Sequence, residues 1–510
     1  MKSDENPLAS TDQIGIKVGA LSGRGLAKST LWNLMGFSAP LFVGIFTIPF
    51  LIEGLGTERF GILSIVWILI GYFSVFDMGL GRALTKLTAD RIATDKALEI
   101  PELAWTTLSL VVALGAFGGT MIAVLAGRIV AHVIQMPDYL TSETVVALRI
   151  IGATIPFVLA SSALFGLLEA FHRFEVTSSV RAILGLTNFL GPLVALRFTT
   201  SIDSVTEILA LARIATFVVI AILVIRAVPG FQGSPNIRTR HVRTLISFGG
   251  WLTVSNLISP IMTYFDRFII GAVIGVGSIA YYTVPYDVLR KLSIFPVAIT
   301  RVLFPVLAME QTRAPMRAVT LFQRSVGLLT AVMVPICLIA VLLAEELLAM
   351  WLEATFAEES APVARLLAVG VMVNSIAWIP YTYIQSLGRP DLPAKIHLVE
   401  LPLYLWIVWK MLTVYGLQGA AAAWMVRSLL DAFIFYMVAA SLDGRLQKTV
   451  WSYGVGLILV LLLFVLASVL AETLTARLLI ITVTMSVSLA IIIRYCKQCI
   501  RWNWPQLVAS

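Results

Sequence analysis

The sequence is poor in charge, because Asp, Glu, Lys and Arg make up only 13% of its 510 residues. Soluble globular domains carry about 25%. A chain that is 59% hydrophobic cannot hide its apolar surface in one water-soluble core, so the bilayer must be its solvent. Backbone polar groups in lipid must be satisfied internally, which predicts helical spans. Long unbroken apolar runs, in place of short alternating strands, exclude a transmembrane barrel.

Cysteine and histidine are also scarce, with three and four residues respectively. Cys337 lies in an apolar run, whereas Cys496 and Cys499 form a C-x-x-C pair with no second pair to complete a zinc site. We therefore predict neither a metal nor any other cofactor. No nucleophile with a base and an orienting group stands at recognisable spacing, which favours a transporter over an enzyme.

The net charge of +8 does not indicate a nucleic-acid partner, because the Lys and Arg residues lie between apolar runs. They concentrate in alternate loops, as Arg82, Lys86, Arg238 and Arg240 do, whereas the opposite loops are acidic around Glu345. By the positive-inside rule the basic side is cytoplasmic. An even number of spans then places both termini in the cytoplasm of a multi-pass protein of the bacterial inner membrane.

A helix needs about 20 apolar residues to cross the hydrocarbon, and about fourteen such runs follow one another here. No linker between them is long enough for a soluble domain. The predicted spans are 29–52, 60–80, 103–126, 144–168, 177–199, 205–228, 246–272, 278–304, 319–343, 362–386, 393–414, 417–440, 450–471 and 476–494.

Two halves of the chain resemble each other. Trp32 precedes Gly56 by the same spacing that separates Trp251 from Gly275, and the segment around Arg173 resembles that around Arg389. An offset of six spans preserves direction, so we predict two parallel six-helix bundles with a substrate site and alternating access between them. The predicted divisions are a cytoplasmic segment 1–28, an N-terminal bundle 29–228, a cytoplasmic linker 229–245, a C-terminal bundle 246–440, two additional helices within 450–494 and a cytoplasmic tail 495–510.

Charged residues within the spans are the candidate functional groups, because a charge at the bilayer centre is costly unless it faces a partner or a wet cavity. Arg213 and Arg427 occupy corresponding spans, and arginine suits bidentate capture of phosphate or carboxylate. Candidates for substrate binding are Arg213, Arg427, Arg267, Arg365 and Arg149. Candidates for ion coupling are Asp266, Asp287, Glu400 and Asp431.

Bland interpretations of several candidates stay open. Asp431 follows Arg427 by four residues on one helix face, so the two charges could neutralise each other. Asp266 and Arg267 could reach the interface by snorkelling. Arg149 and Arg365 lie near predicted helix ends and could be interfacial. Arg213 has no obvious partner in its own segment and is the strongest candidate.

Several short segments resemble the polysaccharide transporter family of lipid-linked oligosaccharide flippases, which includes O-antigen flippases. This family belongs to the multidrug, oligosaccharidyl-lipid and polysaccharide exporter superfamily. The order of the segments along the chain carries the resemblance. They are Leu55–Gly61, Phe76–Leu84, Gly250-Trp251, Ser255-Asn256, Asp266-Arg267, Ala280–Tyr286, Phe304-Pro305 and Gly388-Arg389.

The resemblance implies a V-shaped pair of six-helix bundles around a central cavity. It also implies movement of undecaprenyl-diphosphate-linked oligosaccharide repeat units across the inner membrane for surface or exported polysaccharide. The expected partners are this lipid-linked substrate and membrane lipids, with contacts to a polysaccharide polymerase and a chain-length regulator left open. Two alternatives remain: a multidrug exporter of the same superfamily, and a membrane-embedded polymerase or glycosyltransferase.

Overall fold

The computed structural model describes residues 23–75, 79–94, 96–171, 173–228, 230–231, 242, 245 and 261–500. Within these ranges all regular structure is helical, and no strand occurs. The helices are α1 (Gly23–Val75), α2 (Leu80–Ala93), α3 (Ile100–His132), α4 (Asp138–Ala170), α5 (Phe174–Ala195), α6 (Ile202–Ala227), α7 (261–273), α8 (Val276–Arg290), α9 (Ile294–Arg313), α10 (Pro315–Leu342), α11 (Ala344–Trp351), α12 (Ala354–Ser386), α13 (Asp391–Leu442), α14 (Gln447–Leu470) and α15 (Leu474–Ile500).

Eleven helical stretches in the described part of the chain are long and apolar enough to cross a membrane. Two of them, α1 and α13, are each broken by a glycine and hold two predicted spans apiece. The predicted span 246–272 is described only from residue 261, where α7 begins. The linker 229–245 and the two terminal segments lie largely outside the described residues. The prediction of an all-helical, multi-pass membrane protein is confirmed.

The breaks require glycine. Gly56 has φ 74° and ψ 164°, and Gly416 has φ 60° and ψ −147°. Residues with a Cβ avoid this part of conformational space. Gly275, which matches Gly56 in the internal repeat, also has a positive φ, of 122°. The same backbone feature therefore recurs at the position that the repeat predicts, between α7 and α8.

The chain divides into two compact units, one up to Gly277 and one from Ser278. The first unit extends past α7 because backbone hydrogen bonds tie α7 to the loop after α3. The Gln135 N–H donates to the Gly271 carbonyl at 2.9 Å, and the Val276 N–H donates to the Gln135 carbonyl at 3.0 Å. The division predicted from the repeat, near residues 229–245, stays a prediction about evolutionary modules.

In the first unit, α3 and α4 pack against each other with almost no side chain between them. Gly115 and Gly119 form a G-x-x-x-G pattern on α3 that faces Pro156 and Gly152 on α4. A Cβ on Gly119 would lie 2.1 Å from the Gly152 carbonyl oxygen. Small residues allow such close approach in membranes, where helix association depends on packing.

In the second unit, α12 and α13 form the main pair, and polar contacts attach α14 to α10. The Gln323 amide donates to Thr449 Oγ1 at 2.7 Å, and the Tyr453 hydroxyl donates to the Gln323 carbonyl at 2.8 Å. The turn after α13 is closed by Asp443, whose side chain is buried. Asp443 accepts hydrogen bonds from the Tyr383 hydroxyl at 2.6 Å and from Arg445 Nε at 2.7 Å.

This turn predicts a pH-dependent stability. Burial raises the pKa of Asp443, but hydrogen bonds from Arg445 and Tyr383 outweigh burial and hold that pKa below its usual range. A carboxyl group with a lowered folded pKa stabilises the protein above its unfolded pKa of about 3.9, and this contribution is lost on further acidification. We expect Asp443→Asn to lower the free energy of unfolding near neutral pH by about 1–3 kcal/mol.

Thermal unfolding of the purified protein in detergent measures this effect. The difference between wild type and Asp443→Asn should shrink as the pH falls below about 4. Tyr383→Phe serves as the matched control, because it removes one hydrogen bond and keeps the carboxylate. A difference between wild type and Asp443→Asn that is the same at all pH values would contradict the assignment.

Candidate functional site

The main cluster of buried charged residues in the second unit lies on the two limbs of α13, before and after Gly416. His397 and Glu400 lie three residues apart on the first limb. Arg427 and Asp431 lie four residues apart on the second limb. These spacings place each pair on one helix face. We call these four residues the α13 cluster.

The four side chains are close together. Arg427 Nη2 lies 3.8 Å from Asp431 Oδ2, and His397 Nε2 lies 3.5 Å from Asp431 Oδ1. One ligand atom each from His397, Glu400 and Asp431 lie within 4.8 Å of one another. The ion pair that the spacing of Arg427 and Asp431 suggested is thus present, although 3.8 Å is long for a direct hydrogen bond.

Burial makes this arrangement demanding. Glu400 and Asp431 are 6% and 3% exposed. Within the described part of the chain, both carboxylate oxygens of Glu400 and Oδ1 of Asp431 lack a hydrogen-bond partner. An unpaired buried carboxylate is costly, so a group held in this state is a candidate for binding a cation or a proton.

Aromatic rings surround the cluster. The Arg427 guanidinium lies 5.2 Å from the Tyr404 ring centre and 5.9 Å from that of Trp424. The rings of Tyr381 and Phe435 lie 6.4 Å and 5.5 Å from that of His397. These contacts fix the Arg427 and His397 side chains by cation–π and ring packing.

The first unit holds a second buried arginine. Arg213, 4% exposed, lies on α6. Its Nη2 donates to Asn188 Oδ1 on α5 at 2.7 Å, and its Nη1 donates to the Leu209 carbonyl at 2.7 Å. The sequence of its own span gave no partner for Arg213, because Asn188 belongs to the preceding helix.

The remaining candidates lie elsewhere. Asp266 and Arg267 are fully buried on α7 and form an ion pair at 3.0 Å, so neither side chain snorkels to a surface. Arg365 pairs with Glu345 at 3.2 Å and is partly exposed. Arg149 is exposed on α4, and Asp287 is partly buried on α8. The structure therefore brings together Arg427, Glu400 and Asp431 and places Arg213, Arg267, Asp266 and Arg149 in the first unit.

Sequence reasoning missed His397. The available signal was its position three residues before Glu400 within a predicted span, but a single histidine near the start of a span carries little information. Only the return of the chain at Gly416 brings it against Asp431.

Comparison with known proteins decides the family. Residues 26–311 match the family model described as "Polysaccharide biosynthesis protein". The chain belongs to this family. A Shigella flexneri protein named "Putative O-antigen transporter" is 30% identical over 410 residues, which cover 80% of this chain and 96% of that protein. The family predicted from the short sequence segments is confirmed.

Solved structures place the fold of this family member in the same superfamily. The lipid II flippase MurJ in an inward closed conformation matches with a TM-score of 0.67 and 14% identity, covering 91% of this chain and 99% of that one. An inward-facing multidrug resistance MATE transporter of the MOP superfamily matches with a TM-score of 0.68 and 14% identity, covering 82% and 99%. At this identity the likeness concerns the fold alone.

Proposed function

We propose that this protein is a flippase that translocates undecaprenyl-diphosphate-linked oligosaccharide repeat units across the bacterial inner membrane. The observation that carries the proposal is the similarity to the Shigella protein over nearly that protein's whole length. The family match and the transporter fold support a transport function and not catalysis. Both termini lie in the cytoplasm in this proposal, as the distribution of basic loops predicts.

The charge distribution fits a substrate with a diphosphate and a sugar chain. Arg213 and Arg427 are the buried arginines best suited to the phosphates, because a guanidinium binds phosphate oxygens in a bidentate manner. Arg267 would contribute after release from Asp266, and Arg149 and Arg365, which are at least partly exposed, would attract the anion at the ends of its path. Aromatic rings around Arg427 offer flat faces for sugars.

The proposal is tested by depleting the protein in its host and analysing lipids by mass spectrometry. An impermeant sugar-modifying reagent then reports which leaflet holds the lipid-linked oligosaccharide. We expect this intermediate to accumulate on the cytoplasmic face, and its mass identifies the sugars. Normal surface polysaccharide without accumulation would contradict the flippase assignment. The same experiment, repeated with a polymerase or a chain-length regulator deleted, tests the proposed partners.

Arg213 provides a direct test of the proposed phosphate contacts. We expect Arg213→Ala to reduce transport at least tenfold at unchanged membrane abundance, because it removes a charge-assisted contact worth about 1.5–3 kcal/mol. Asn188→Ala is the matched control, because it removes the side-chain partner of Arg213 and keeps the guanidinium. Near-normal transport by Arg213→Ala would remove this residue from the proposed site.

Energy coupling is assigned to the acidic residues at membrane depth. We propose that Asp266, Asp287, Glu400 or Asp431 binds a proton or a sodium ion during transport, because a carboxylate at this depth is expensive unless it is used. Replacing all four by their amides is expected to abolish the dependence of transport on the ion gradient. If transport and its ion dependence both survived, the coupling assignment would be wrong.

A multidrug exporter is the second candidate, and the acidic pair in the α13 cluster favours it because cationic drugs prefer acidic sites. The two candidates differ in the depletion experiment. A drug exporter would leave lipid-linked intermediates unchanged and would make depleted cells more sensitive to lipophilic cations.

A further inference from the structure

The α13 cluster has the donor set of a metal site. His397 offers an imidazole nitrogen, and Glu400 and Asp431 each offer a carboxylate oxygen, all within 4.8 Å of one another. Metal ligands lie about 2.0–2.2 Å from a bound zinc ion, so donor atoms around one ion are separated by roughly 3–4 Å. The 3.5 Å distance from His397 Nε2 to Asp431 Oδ1 already falls in this range. A small rotation of Glu400 would complete the set.

A second observation points to a missing cation. Glu400 is 94% buried, since its exposed fraction is 6%, and neither of its oxygens has a hydrogen-bond partner in the described part of the chain. Oδ1 of Asp431, the oxygen nearer to His397, is also without a hydrogen bond among the described residues. The guanidinium of Arg427 lies 3.8 Å from the other oxygen of Asp431 and compensates that carboxylate. One guanidinium cannot neutralise two carboxylates, so the charge of Glu400 calls for a further cation.

The donor types select the kind of ion. Sodium, magnesium and calcium prefer oxygen ligands, whereas imidazole is a ligand for zinc and neighbouring transition metals. Two carboxylates and one imidazole give three protein ligands, which leaves a fourth position open in a tetrahedral site. The His397 side chain is 27% exposed, so an ion has a route of entry.

We propose that His397, Glu400 and Asp431 bind one divalent transition-metal cation of the zinc class. Because His397 and Glu400 precede Gly416 and Asp431 follows it, the bound ion links the two limbs of α13 across the glycine break. Occupancy then stiffens α13 at the backbone position where its two limbs can change their angle. The site does not depend on which lipid or solute the protein moves.

The test uses the full-length protein in detergent with any affinity tag removed, and Co²⁺ as a spectroscopic substitute for Zn²⁺. We expect Co²⁺ to produce visible ligand-field absorption at one ion per chain, and added Zn²⁺ to displace it. His397→Ala and Glu400→Gln should each weaken Zn²⁺ binding at least tenfold in calorimetric titration. His132→Ala is the matched control, because His132 lies on α3 in the first unit and is exposed.

Three outcomes would overturn the proposal: no saturable Co²⁺ spectrum with the wild type, an unchanged affinity in both variants, or an equal loss in His132→Ala. The wild-type spectrum keeps the test decisive even if a variant fails to fold. Because binding is measured without transport, failure of this proposal is distinguishable from failure of the flippase assignment. Conversely, a protein that moves no lipid-linked oligosaccharide would still show the Co²⁺ spectrum.

Discussion

Arg427→Gln is expected to reduce polysaccharide export at least tenfold while the protein still inserts in the membrane. Glutamine keeps some hydrogen-bonding capacity but removes the charge that stands 3.8 Å from Asp431 and lies over the Tyr404 and Trp424 rings. A charge-assisted hydrogen bond contributes about 1.5–3 kcal/mol, which corresponds to roughly 10–100-fold. Arg427→Lys should fall between wild type and glutamine, because lysine keeps the charge and loses the planar fork.

Complementation of the depletion strain measures this effect, with lipid-linked intermediate and surface polysaccharide quantified against membrane abundance. Arg427 also compensates Asp431, so a purely structural role must be separated from substrate contact. The double variant Arg427→Gln, Asp431→Asn removes both charges of the pair. If Arg427 contacts substrate, the double variant stays inactive; recovery of export in the double variant would mean that Arg427 serves only to neutralise Asp431.

Arg477→Gln is the control for this prediction. Arg477 lies near the start of α15 and is paired with Glu346 on α11, also in the second unit. It is an arginine of a membrane helix with an acidic partner, but it lies outside the α13 cluster. We expect export by Arg477→Gln to stay close to that of wild type.

The helical architecture could be predicted from sequence because each span carries its own signal. Apolar length and loop charge are local properties, and they gave spans that overlap α3 to α6, α10, α12, α14 and α15 along most of their lengths. The breaks in α1 and α13 were also visible, since separate spans were predicted on either side of Gly56 and Gly416. The backbone angles at these two glycines could not be predicted, because glycine itself permits many conformations and the packing of the flanking limbs selects one.

The candidate site was predictable only in part, because its members come from separate segments. Arg427 and Asp431 are four residues apart, so their ion pair follows from helical spacing alone. The approach of His397 and Glu400 to Asp431 depends on the angle at Gly416, which no local pattern specifies. Arg213 shows the same limit, since its partner Asn188 lies on another helix.

Gly119→Ala is expected to destabilise the first unit, against the usual effect of this substitution. Alanine favours a helix over glycine by about 1 kcal/mol, so an unhindered Gly→Ala change in α3 should be neutral or stabilising. At Gly119, however, the new Cβ would lie 2.1 Å from the Gly152 carbonyl oxygen, which belongs to the backbone of α4. The helices must separate, and overpacking of this kind costs about 1–3 kcal/mol.

Neighbouring glycines on the same helix provide matched controls. A Cβ on Gly118 would meet only Phe73 Cε1, at an ordinary 3.5 Å, and one on Gly127 would meet no atom within 4 Å. Thermal unfolding in detergent should therefore show a lower transition for Gly119→Ala and an unchanged or higher one for Gly118→Ala and Gly127→Ala. Gly152→Ala should resemble Gly119→Ala, because its Cβ would lie 2.5 Å from the Gly119 carbonyl oxygen. If all four variants behaved alike, helix propensity and not the α3–α4 contact would determine the result, and the close crossing would not hold in the membrane.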